Sequence, residues 1–239
     1  MLSEERPVIE VKNLYKIFKL GEQKVRALNG VSFTVNKGEF VAIVGTSGSG
    51  KSTLLNMLAG LEGPTKGSVR VAGENIEKYN ERQLVKYRRD HVGFIFQAYN
   101  LMPTLNAIEN VALPLTFRGV DKSLREKKAV KALKLVGLKK YMDHRPTEMS
   151  GGQQQRVGIA RALVLEPEII FADEPTGNLD SVTTEEILHL LQDLVRRKAT
   201  TLVMVTHDNH LASFADRRIR IKDGKIIADE RNGELQENV

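Results

Sequence analysis

Three short segments near the start of the chain have the hydrophobic patterns of β-strands. VIEVK at 8–12 is mainly apolar, VSFTV at 31–35 alternates apolar and polar residues, and FVAIV at 40–44 is entirely apolar. Alternation is typical of a strand with one buried face, and a short apolar run is consistent with a strand buried on both faces. The first 44 residues are therefore predicted to be mainly β and to end in a buried strand.

A helix is predicted directly after this buried strand, over residues 51–59. Gly60 suits the end of that helix, because glycine adopts the left-handed conformation that commonly terminates a helix. Glycine and proline then recur at short intervals, at Pro64, Gly67 and Gly73, and they predict short β segments separated by turns.

The apolar period becomes helical between about residues 98 and 165, which predicts a mostly helical lobe. Ser123 and Glu126 have the spacing of a capping box, and Gly137 suits the end of the helix that they would begin. Three helices are expected in this lobe, over residues 105–112, 123–136 and 153–165.

Strands and helices alternate again in the last third of the chain. A strand over 168–172, a helix over 181–197 and a strand over 201–205 precede a hairpin centred on Asp223 and Gly224. Strands separated by helices favour a parallel sheet. We therefore expect a single α/β domain over residues 1–239, with a core over about 1–97 and 166–239 and a helical subdomain over about 98–165.

The composition narrows the possible classes of protein. The 239 residues include no cysteine, which excludes disulfides and thiolate metal sites and is consistent with a reducing cytosol. No uncharged apolar run approaches the ~20 residues of a membrane-spanning helix, and the N-terminus lacks the apolar segment of a signal peptide. The formal net charge of +6 predicts attraction to anions. Because the basic residues are scattered among acids, as in REKK at 125–128, a mixed solvated surface is favoured over a nucleic-acid groove.

GTSGSGKS at 45–52 has the spacing of a phosphate-binding loop and lies between a predicted strand and a predicted helix. Its glycines let backbone N–H groups surround phosphates, to which the helix dipole adds attraction. Lys51 is expected to reach the β- and γ-phosphates of ATP, and Ser52 to ligate Mg²⁺. A glycine- and serine-rich turn that only caps a helix is the alternative. The residues expected to contact the nucleotide are Gly45, Ser47, Gly48, Ser49, Gly50, Lys51, Ser52 and Thr53.

Two further predicted strands end in polar residues. EIIFADE at 168–174 ends in Asp173 and Glu174, and TLVMVTHD at 201–208 contains His207. The carboxyl ends of parallel strands form the edge where open α/β folds bind ligands. Asp173 is expected to hold Mg²⁺ through its water shell, Glu174 to polarise the attacking water, and His207 to contact the γ-phosphate. Alternatively, the acidic pair is a helix cap and the histidine an ordinary surface residue.

Gln97 follows VGFIF at 92–96, which is another apolar strand pattern. Its amide oxygen is a candidate ligand for Mg²⁺ and for the attacking water. Composition alone gives this residue only a weak signal.

A second glycine-rich helix start, MSGGQ at 149–153, is not needed by a single ATP bound to residues 45–52. Its serine and glycines form a candidate second anion site at a helix N-terminus. If two copies pack head to tail, the Ser150 hydroxyl and the Gly152 N–H of one copy close over the γ-phosphate held by the other. An ordinary capped helix is the alternative. The residues of this candidate site are Ser150, Gly151, Gly152 and Gln153.

Together these motifs resemble those of the nucleotide-binding subunits of ATP-binding cassette (ABC) transporters, over about residues 8–230. The resemblance implies a P-loop NTPase core with a mainly parallel sheet, an N-terminal antiparallel β subdomain and an inserted α-helical subdomain. It also implies that Phe18 stacks on adenine, where tyrosine is frequent in the family, unless Phe18 and Tyr15 both belong to the core. GTSGSGKS matches the family's Walker A motif, Gln97 its Q-loop and MSGGQ its signature. IIFADE matches its Walker B motif, NLD, which ends at Asp180, its D-loop, and His207 its switch histidine.

This resemblance implies an ATPase with ATP and Mg²⁺ as cofactors, whose ATP-bound homodimer has Asp180 along its seam. The homodimer would drive an integral membrane permease from the cytoplasmic face of the cell membrane, as a peripheral protein. Residues 96–115 are most similar to the branch that serves lipoprotein release and macrolide or peptide export. That similarity favours an exporter and allows a periplasmic or extracellular accessory protein.

Two positions in the signature region depart from the usual pattern or from helix propensity. Met149 stands where leucine is commoner, which is a volume-conserving change. Gly158, inside the predicted helix, would cost ~1 kcal/mol relative to alanine, unless close packing requires it.

Other classes of nucleotide-binding protein remain as alternatives. A cassette ATPase acting on nucleic acid or ribosomes is the main one, but such relatives typically carry coiled-coil insertions or two cassettes in one chain. A monomeric P-loop kinase or GTPase would leave MSGGQ and NLD unexplained. No nucleic-acid partner is expected.

Overall fold

The computed structural model describes residues 7–232. Within that range the chain forms two β-sheets and seven α-helices, none of which has both the length and the apolar character needed to cross a membrane. The strands are β1 Ile9–Leu20, β2 Gln23–Val35, β3 Phe40–Val44, β4 Lys66–Val71, β5 Glu74–Asn75, β6 Val92–Ile95, β7 Ile169–Asp173, β8 Thr201–Thr206, β9 Arg217–Lys222 and β10 Lys225–Arg231. The helices are α1 Lys51–Leu58, α2 Glu81–His91, α3 Ala107–Phe117, α4 Lys122–Leu135, α5 Gly151–Leu163, α6 Ser181–Lys198 and α7 Asn209–Ala212.

A six-stranded sheet has the strand order β10-β9-β3-β8-β7-β6. The strands β3, β8, β7 and β6 run parallel to one another, and β9 runs parallel to β3. β10 is antiparallel, because the two-residue turn at Asp223 and Gly224 joins it to β9 and both turn residues have positive φ. The mainly parallel sheet and the final hairpin are therefore confirmed.

Both faces of this sheet are buried, which explains the uninterrupted apolar run in β3. Phe40, Ala42 and Val44 belong to a core shared with the helical lobe, whereas Val41 and Ile43 belong to a core shared with the second sheet. Successive side chains of a strand project to opposite faces, so one strand supplies both cores. The carboxyl ends of the parallel strands remain as the edge at which a ligand can bind.

A second sheet is antiparallel, with four strands in the order β2-β1-β4-β5, as the resemblance implies. Its first two strands are longer than the predicted segments 8–12 and 31–35. They form a hairpin whose register shifts, for example between Lys16 and Ile17, and the pairing continues to Leu20 and Gln23. Such irregularities disturb the alternation of side chains, which is why the sequence pattern reveals only part of each strand.

The helix α2 is not predicted from the sequence, which assigns no element to residues 81–91. Tyr87 is its one buried residue and Leu84 its one half-buried apolar residue, so its apolar stripe is too short to reveal a helix. Asn80 and Gln83 form a capping box at its start, with bonds of 3.1 Å and 2.9 Å. The buried Tyr87 hydroxyl donates to the Leu58 carbonyl oxygen at 2.7 Å, and burial raises the pKa of this phenol. Capping and one buried hydroxyl therefore fix this helix.

The helical lobe consists of α3, α4 and α5, which confirms the three helices expected between residues 98 and 165. The predicted capping box at Ser123 and Glu126 is wrong. The helix α4 begins earlier, and the Asp121 carboxylate caps it by accepting from the Ser123 N–H at 2.9 Å. Gly137 follows the helix end with a φ of 81°, as predicted.

Candidate active site

The phosphate-binding loop joins the end of β3 to the start of α1. Gly50 is the N-cap of α1 and has a φ of 102°. A β-carbon there would lie 2.3 Å from the Ala27 carbonyl oxygen, so both conformation and space require glycine. The Lys51 side chain is buried, and its Nζ donates to the Thr46 carbonyl oxygen at 2.9 Å. The loop itself therefore holds the ammonium group in place.

A cavity of 650 Å³ lies over this loop. Side chains from the ends of two neighbouring parallel strands meet in it, as predicted, because Glu174 follows β7 and His207 follows β8. The predicted site residues that line it are Ser47, Gly48, Gly50, Lys51, Ser52, Thr53, Glu174 and His207. The rest of its lining is Val25, Arg26, Ala27 and Thr46.

Residues 25–27 of this lining were not predictable from a local pattern. They belong to the part of β2 that precedes its alternating segment, and only the folding of the antiparallel sheet brings them over the phosphate loop. The hairpin of β1 and β2 therefore forms one wall of the cavity in addition to its part in the antiparallel sheet.

Asp173 and Ser52 lie next to each other at the edge of the parallel sheet, where the Ser52 hydroxyl donates to Asp173 Oδ1 at 3.4 Å. Burial raises the pKa of Asp173 above its ordinary value, although the hydrogen bond from Ser52 opposes this effect. Burial also disfavours the charged form of Lys51 and so lowers its pKa, and the Glu174 and Asp173 carboxylates partly offset this change. Perturbed groups of both signs at one edge are typical of a functional site.

Glu174 and His207 form a pair across the ends of β7 and β8, with His207 Nδ1 3.1 Å from Glu174 Oε1. The strands bring them together because the Glu174 N–H donates to the Val205 carbonyl oxygen at 3.1 Å. Glu174 has a φ of 43°, which is uncommon for a residue other than glycine. Unusual conformations of this kind concentrate at functional sites.

Gln97 and Phe18 are not among the residues of the range 7–232 that line the cavity. The Gln97 side chain packs against Gly177, where a β-carbon would fall 2.7 Å from Gln97 Nε2. Phe18 is half-buried on β1 and pairs directly with Val25, which does line the cavity. Phe18 therefore lies beside the cavity. The roles expected of both residues stay predictions.

Two of the predicted loop residues, Gly45 and Ser49, support the loop from behind. A β-carbon on Gly45 would fall 2.3 Å from the Ile221 carbonyl oxygen and 2.6 Å from Ser49 Oγ. Ser49 is buried, and its carbonyl oxygen accepts from the Gly224 N–H at 3.1 Å. These two residues therefore fasten the phosphate loop to the final hairpin.

The predicted second anion site forms the start of α5. Ser150 is the N-cap, and its Oγ accepts from the Gln153 N–H at 3.3 Å while Gln153 Oε1 accepts from the Ser150 N–H at 3.0 Å. None of the four motif residues belongs to the lining of the phosphate-loop cavity, as far as residues 7–232 are concerned. Within the single chain the predicted second anion site is therefore separate from the phosphate-loop cavity.

The two signature glycines pack closely against side chains from other segments of the chain. β-Carbons on Gly151 and Gly152 would lie 2.8 Å from Tyr99 Oη and 2.5 Å from Thr183 Cγ2. Thr183 is in the first turn of α6, where the Asp180 carboxylate accepts from its N–H at 3.0 Å and from its hydroxyl at 2.7 Å. These bonds lower the pKa of Asp180. The signature helix and the D-loop residue are therefore neighbours.

Gln155, one turn further along α5, is fully buried. Its Nε2 donates to the carbonyl oxygen of Pro175 and, at 3.4 Å, to that of Phe96. Phe96 precedes Gln97, and Pro175 follows Glu174, so one side chain joins the signature helix to both of these loops. Gln155 is the last of three consecutive glutamines, and nothing in the sequence distinguishes the buried one from the other two.

The chemistry of the groups at the phosphate loop fits a magnesium ion. Mg²⁺ typically takes one or two protein oxygens together with phosphate oxygens and water, and the adjacent Ser52 hydroxyl and Asp173 carboxylate offer such oxygens. No group of three or more His, Cys, Asp or Glu residues within the described part of the chain is arranged to hold a metal ion. A divalent ion at this position would therefore depend on the phosphates of a bound nucleotide.

Sequence comparisons agree with this arrangement. A family model for ABC transporters matches residues 28–177. An uncharacterized ABC transporter ATP-binding protein of Thermotoga maritima is 50% identical over 228 residues, which cover 95% of this chain and 97% of that protein. The macrolide export ATP-binding/permease protein MacB of Shewanella sp. (strain ANA-3) is 48% identical over 95% of this chain, but the chain spans only 34% of its length.

Solved structures share the fold. The dimeric structure of MJ0796, a bacterial ABC transporter cassette, has a TM-score of 0.86 and 45% identity, covering 94% of this chain and 98% of that one. A dimeric post-hydrolysis state of MJ0796 bound to ADP and Pi has the same TM-score and 44% identity, with the same coverage of both chains. The family match, joined to the phosphate loop and the paired Glu174 and His207, shows that the chain belongs to the ABC transporter family as an ATP-binding and ATP-hydrolysing cassette.

Proposed function

We propose that the chain is the ATPase subunit of a transporter, that it acts as a head-to-tail homodimer, and that a permease supplies the membrane-spanning part. The observation that carries this proposal is an incomplete site. The cavity gathers the phosphate loop, Glu174 and His207, whereas the Ser150 helix start lies outside its lining within residues 7–232. A two-fold related copy would bring the second helix start to the cavity, and the dimeric structures of the 45% identical cassette MJ0796 support this assembly.

In the proposed complex, ATP lies with its phosphates over residues 45–52 and its base toward the antiparallel sheet. The loop N–H groups and the Lys51 ammonium would bind the β- and γ-phosphates. The pairing of Phe18 with Val25 on the cavity wall supports the stacking of adenine on Phe18.

For hydrolysis we assign Glu174 as the group that polarises the attacking water, because its carboxylate lines the cavity beside the phosphate loop. His207 would orient this carboxylate through the 3.1 Å contact and bind the γ-phosphate. Ser150, Gly151, Gly152 and Gln153 of the second copy would complete the site around the γ-phosphate, and Asp180 would lie along the seam.

The magnesium ion is assigned to Ser52, Asp173 and Gln97, with Asp173 acting through the water shell of the ion. When bound, it would supply positive charge that neutralises the phosphate oxygens. The Ser52 hydroxyl adjacent to Asp173 supports this assignment.

A groove of 470 Å³ where α2 and β6 meet the helical lobe is the proposed permease-binding surface. Phe117 is 77% exposed and Val85 49% exposed, and both line the groove. Exposed apolar side chains grouped in this way are typical of an interaction surface. Helices at the cytoplasmic side of a permease would fit this groove. It is lined by Val85, Arg88, Arg89, Val92, Gly93, Phe94, Phe96, Pro114, Phe117, Arg161, Ala162 and Leu165.

The names of the MacB relatives support export as the direction of transport, since they are macrolide export ATP-binding/permease proteins. The chain would then act at the cytoplasmic face of the cell membrane, with an accessory protein on the far side as a further component of such a system. The domain bounds proposed from the sequence, with a helical subdomain over about 98–165, are consistent with α3, α4 and α5 forming the lobe.

Mixing two inactive variants tests the shared site. Lys51→Ala disables the phosphate loop, and Ser150→Arg blocks the signature at an exposed position. In a mixed dimer one site carries both changes and the other carries neither, so the mixture should regain roughly a quarter of the parent ATPase rate. A mixture as inactive as each variant alone, or full activity of Ser150→Arg by itself, would contradict the proposal.

A further inference from the structure

Lys16 covers one face of the Phe18 ring. Its Nζ lies 5.1 Å from the ring centre, which is within the range of a cation–π contact. The same ammonium group donates to the Gly63 carbonyl oxygen at 2.7 Å and pairs with Glu62 Oε1 at 3.0 Å. The Lys16 side chain is only 16% exposed. A lysine held by three partners has little freedom, so it restrains the ring that it contacts.

The strand segment around Lys16 is also fastened to the segment that follows the phosphate-loop helix. The Thr65 N–H donates to the Tyr15 carbonyl oxygen at 2.8 Å, and the Ile17 N–H donates to Thr65 Oγ1 at 3.0 Å. Residues 62–65 come soon after α1, which itself begins in the phosphate loop. These bonds connect the ring-bearing strand to the phosphate loop through α1.

We propose that Lys16 is a positioning residue for the nucleotide base, fixing the Phe18 ring beside the cavity with one face covered and the other free for adenine. This inference rests on the stacking role proposed for Phe18. Because Val25 pairs with Phe18 and lines the cavity, the held ring stands next to the phosphate site. A ring already held in place loses less freedom when the base binds, which favours binding.

The experiment compares equilibrium binding of ADP with that of inorganic pyrophosphate, which has no base. Lys16→Met should weaken ADP binding about threefold, because the released Phe18 ring must then be ordered when the base binds, and should leave pyrophosphate binding unchanged. Lys16→Arg should restore ADP binding, since arginine also stacks on rings and donates to a carbonyl oxygen. In ATPase assays KM should rise for Lys16→Met while kcat stays the same.

A double-mutant cycle with Phe18→Ala separates the possible outcomes. Lys16→Met should have no further effect on ADP binding in the Phe18→Ala background. An equal loss of pyrophosphate binding would show that Lys16 acts through the phosphate loop. A loss of ADP binding that persists without Phe18 would show that Lys16 acts independently of the ring, and either result would overturn the inference.

The cycle also distinguishes the inference from the function on which it rests. If Phe18→Ala weakened ADP binding and Lys16→Met did not, only the positioning role would be wrong. If Phe18→Ala had no effect, stacking and positioning would both be wrong. Should Lys16→Met fail to fold, Lys16→Gln removes the charge but keeps a donor for the Gly63 carbonyl oxygen, and the same two ligands decide the result.

Discussion

A β-carbon on Gly152 would fall 2.5 Å from Thr183 Cγ2, so the signature helix α5 and the first turn of α6 touch at a point where a larger residue would displace Thr183. Gly158 on the same helix differs, because its β-carbon would have its nearest neighbour, Gln155 Oε1, at 3.7 Å. The close packing that would require glycine is therefore found at Gly152 and not at Gly158. Packing within the chain therefore constrains Gly152, in addition to the role in the second anion site that is proposed for it.

Gly152→Ala is expected to destabilise the protein by about 1–3 kcal/mol, because the added methyl group forces Thr183 to move. Gly158→Ala is the matched control and should stabilise the protein by about 0.5–1 kcal/mol. Urea unfolding followed by circular dichroism measures both changes.

Combining Thr183→Ser with Gly152→Ala tests whether the clash with Thr183 causes the loss of stability. Serine lacks the Cγ2 methyl group but keeps the hydroxyl that donates to Asp180 Oδ2 at 2.7 Å. The double variant should therefore recover most of the stability that Gly152→Ala loses. No recovery would show that the contact with Thr183 is not the source of the effect.

Glu174→Gln should bind ATP, form a stable dimer and lose at least about 100-fold in kcat, because the amide keeps the shape of the side chain but cannot accept a proton from water. Phosphate release measures hydrolysis, and size-exclusion chromatography with ATP measures dimerisation. Glu126→Gln, an exposed change on α4, is the control and should behave as the parent protein. Normal turnover in Glu174→Gln would remove Glu174 from its assigned role.

Asp173→Asn is expected to raise the melting temperature at neutral pH while abolishing ATPase activity. Burial raises the pKa of Asp173 in the folded protein, so this carboxyl costs stability as the pH rises above its ordinary pKa, and the full cost is reached above the folded pKa. The asparagine has no such cost. Its advantage should therefore shrink as the pH falls and vanish below the ordinary carboxyl value of 3.8.

Thermal melts of Asp173→Asn and of the parent protein across this pH range measure the effect. Asp193→Asn is the matched control, because its side chain is 58% exposed, and it should show no comparable gain at neutral pH. An advantage of Asp173→Asn that did not depend on pH would mean that the charge is not its cause.

The buried strands and the phosphate loop were predictable for a physical reason. β3 matches its predicted bounds because both of its faces are buried and every residue of it is apolar. The loop follows from the spacing of Gly45, Gly50 and Lys51, since the conformation that surrounds a phosphate tolerates few other residues there. Where burial or a required backbone conformation restricts the residues of a segment, the local sequence is enough to predict its structure.

The rest depended on contacts between distant segments. The helix α2 is nearly all polar and is held by a cap and by the Tyr87 hydroxyl, which no apolar period reveals. Residues 25–27 line the cavity only because the hairpin folds over the loop. The side chain of Gln97 lies against Gly177, a neighbour eighty positions away, and no local pattern specifies that contact.

The buried carboxamide of Gln155 has a mechanical consequence. Because it bonds to the carbonyl groups of Phe96 and Pro175, a rotation of the helical lobe must either carry both loops with it or break these bonds. Breaking them would leave buried polar groups unpaired, at roughly 1–3 kcal/mol each. Keeping these bonds costs less free energy than breaking them. A rotation of the helical lobe should therefore move the segments beside Gln97 and Glu174 together with it.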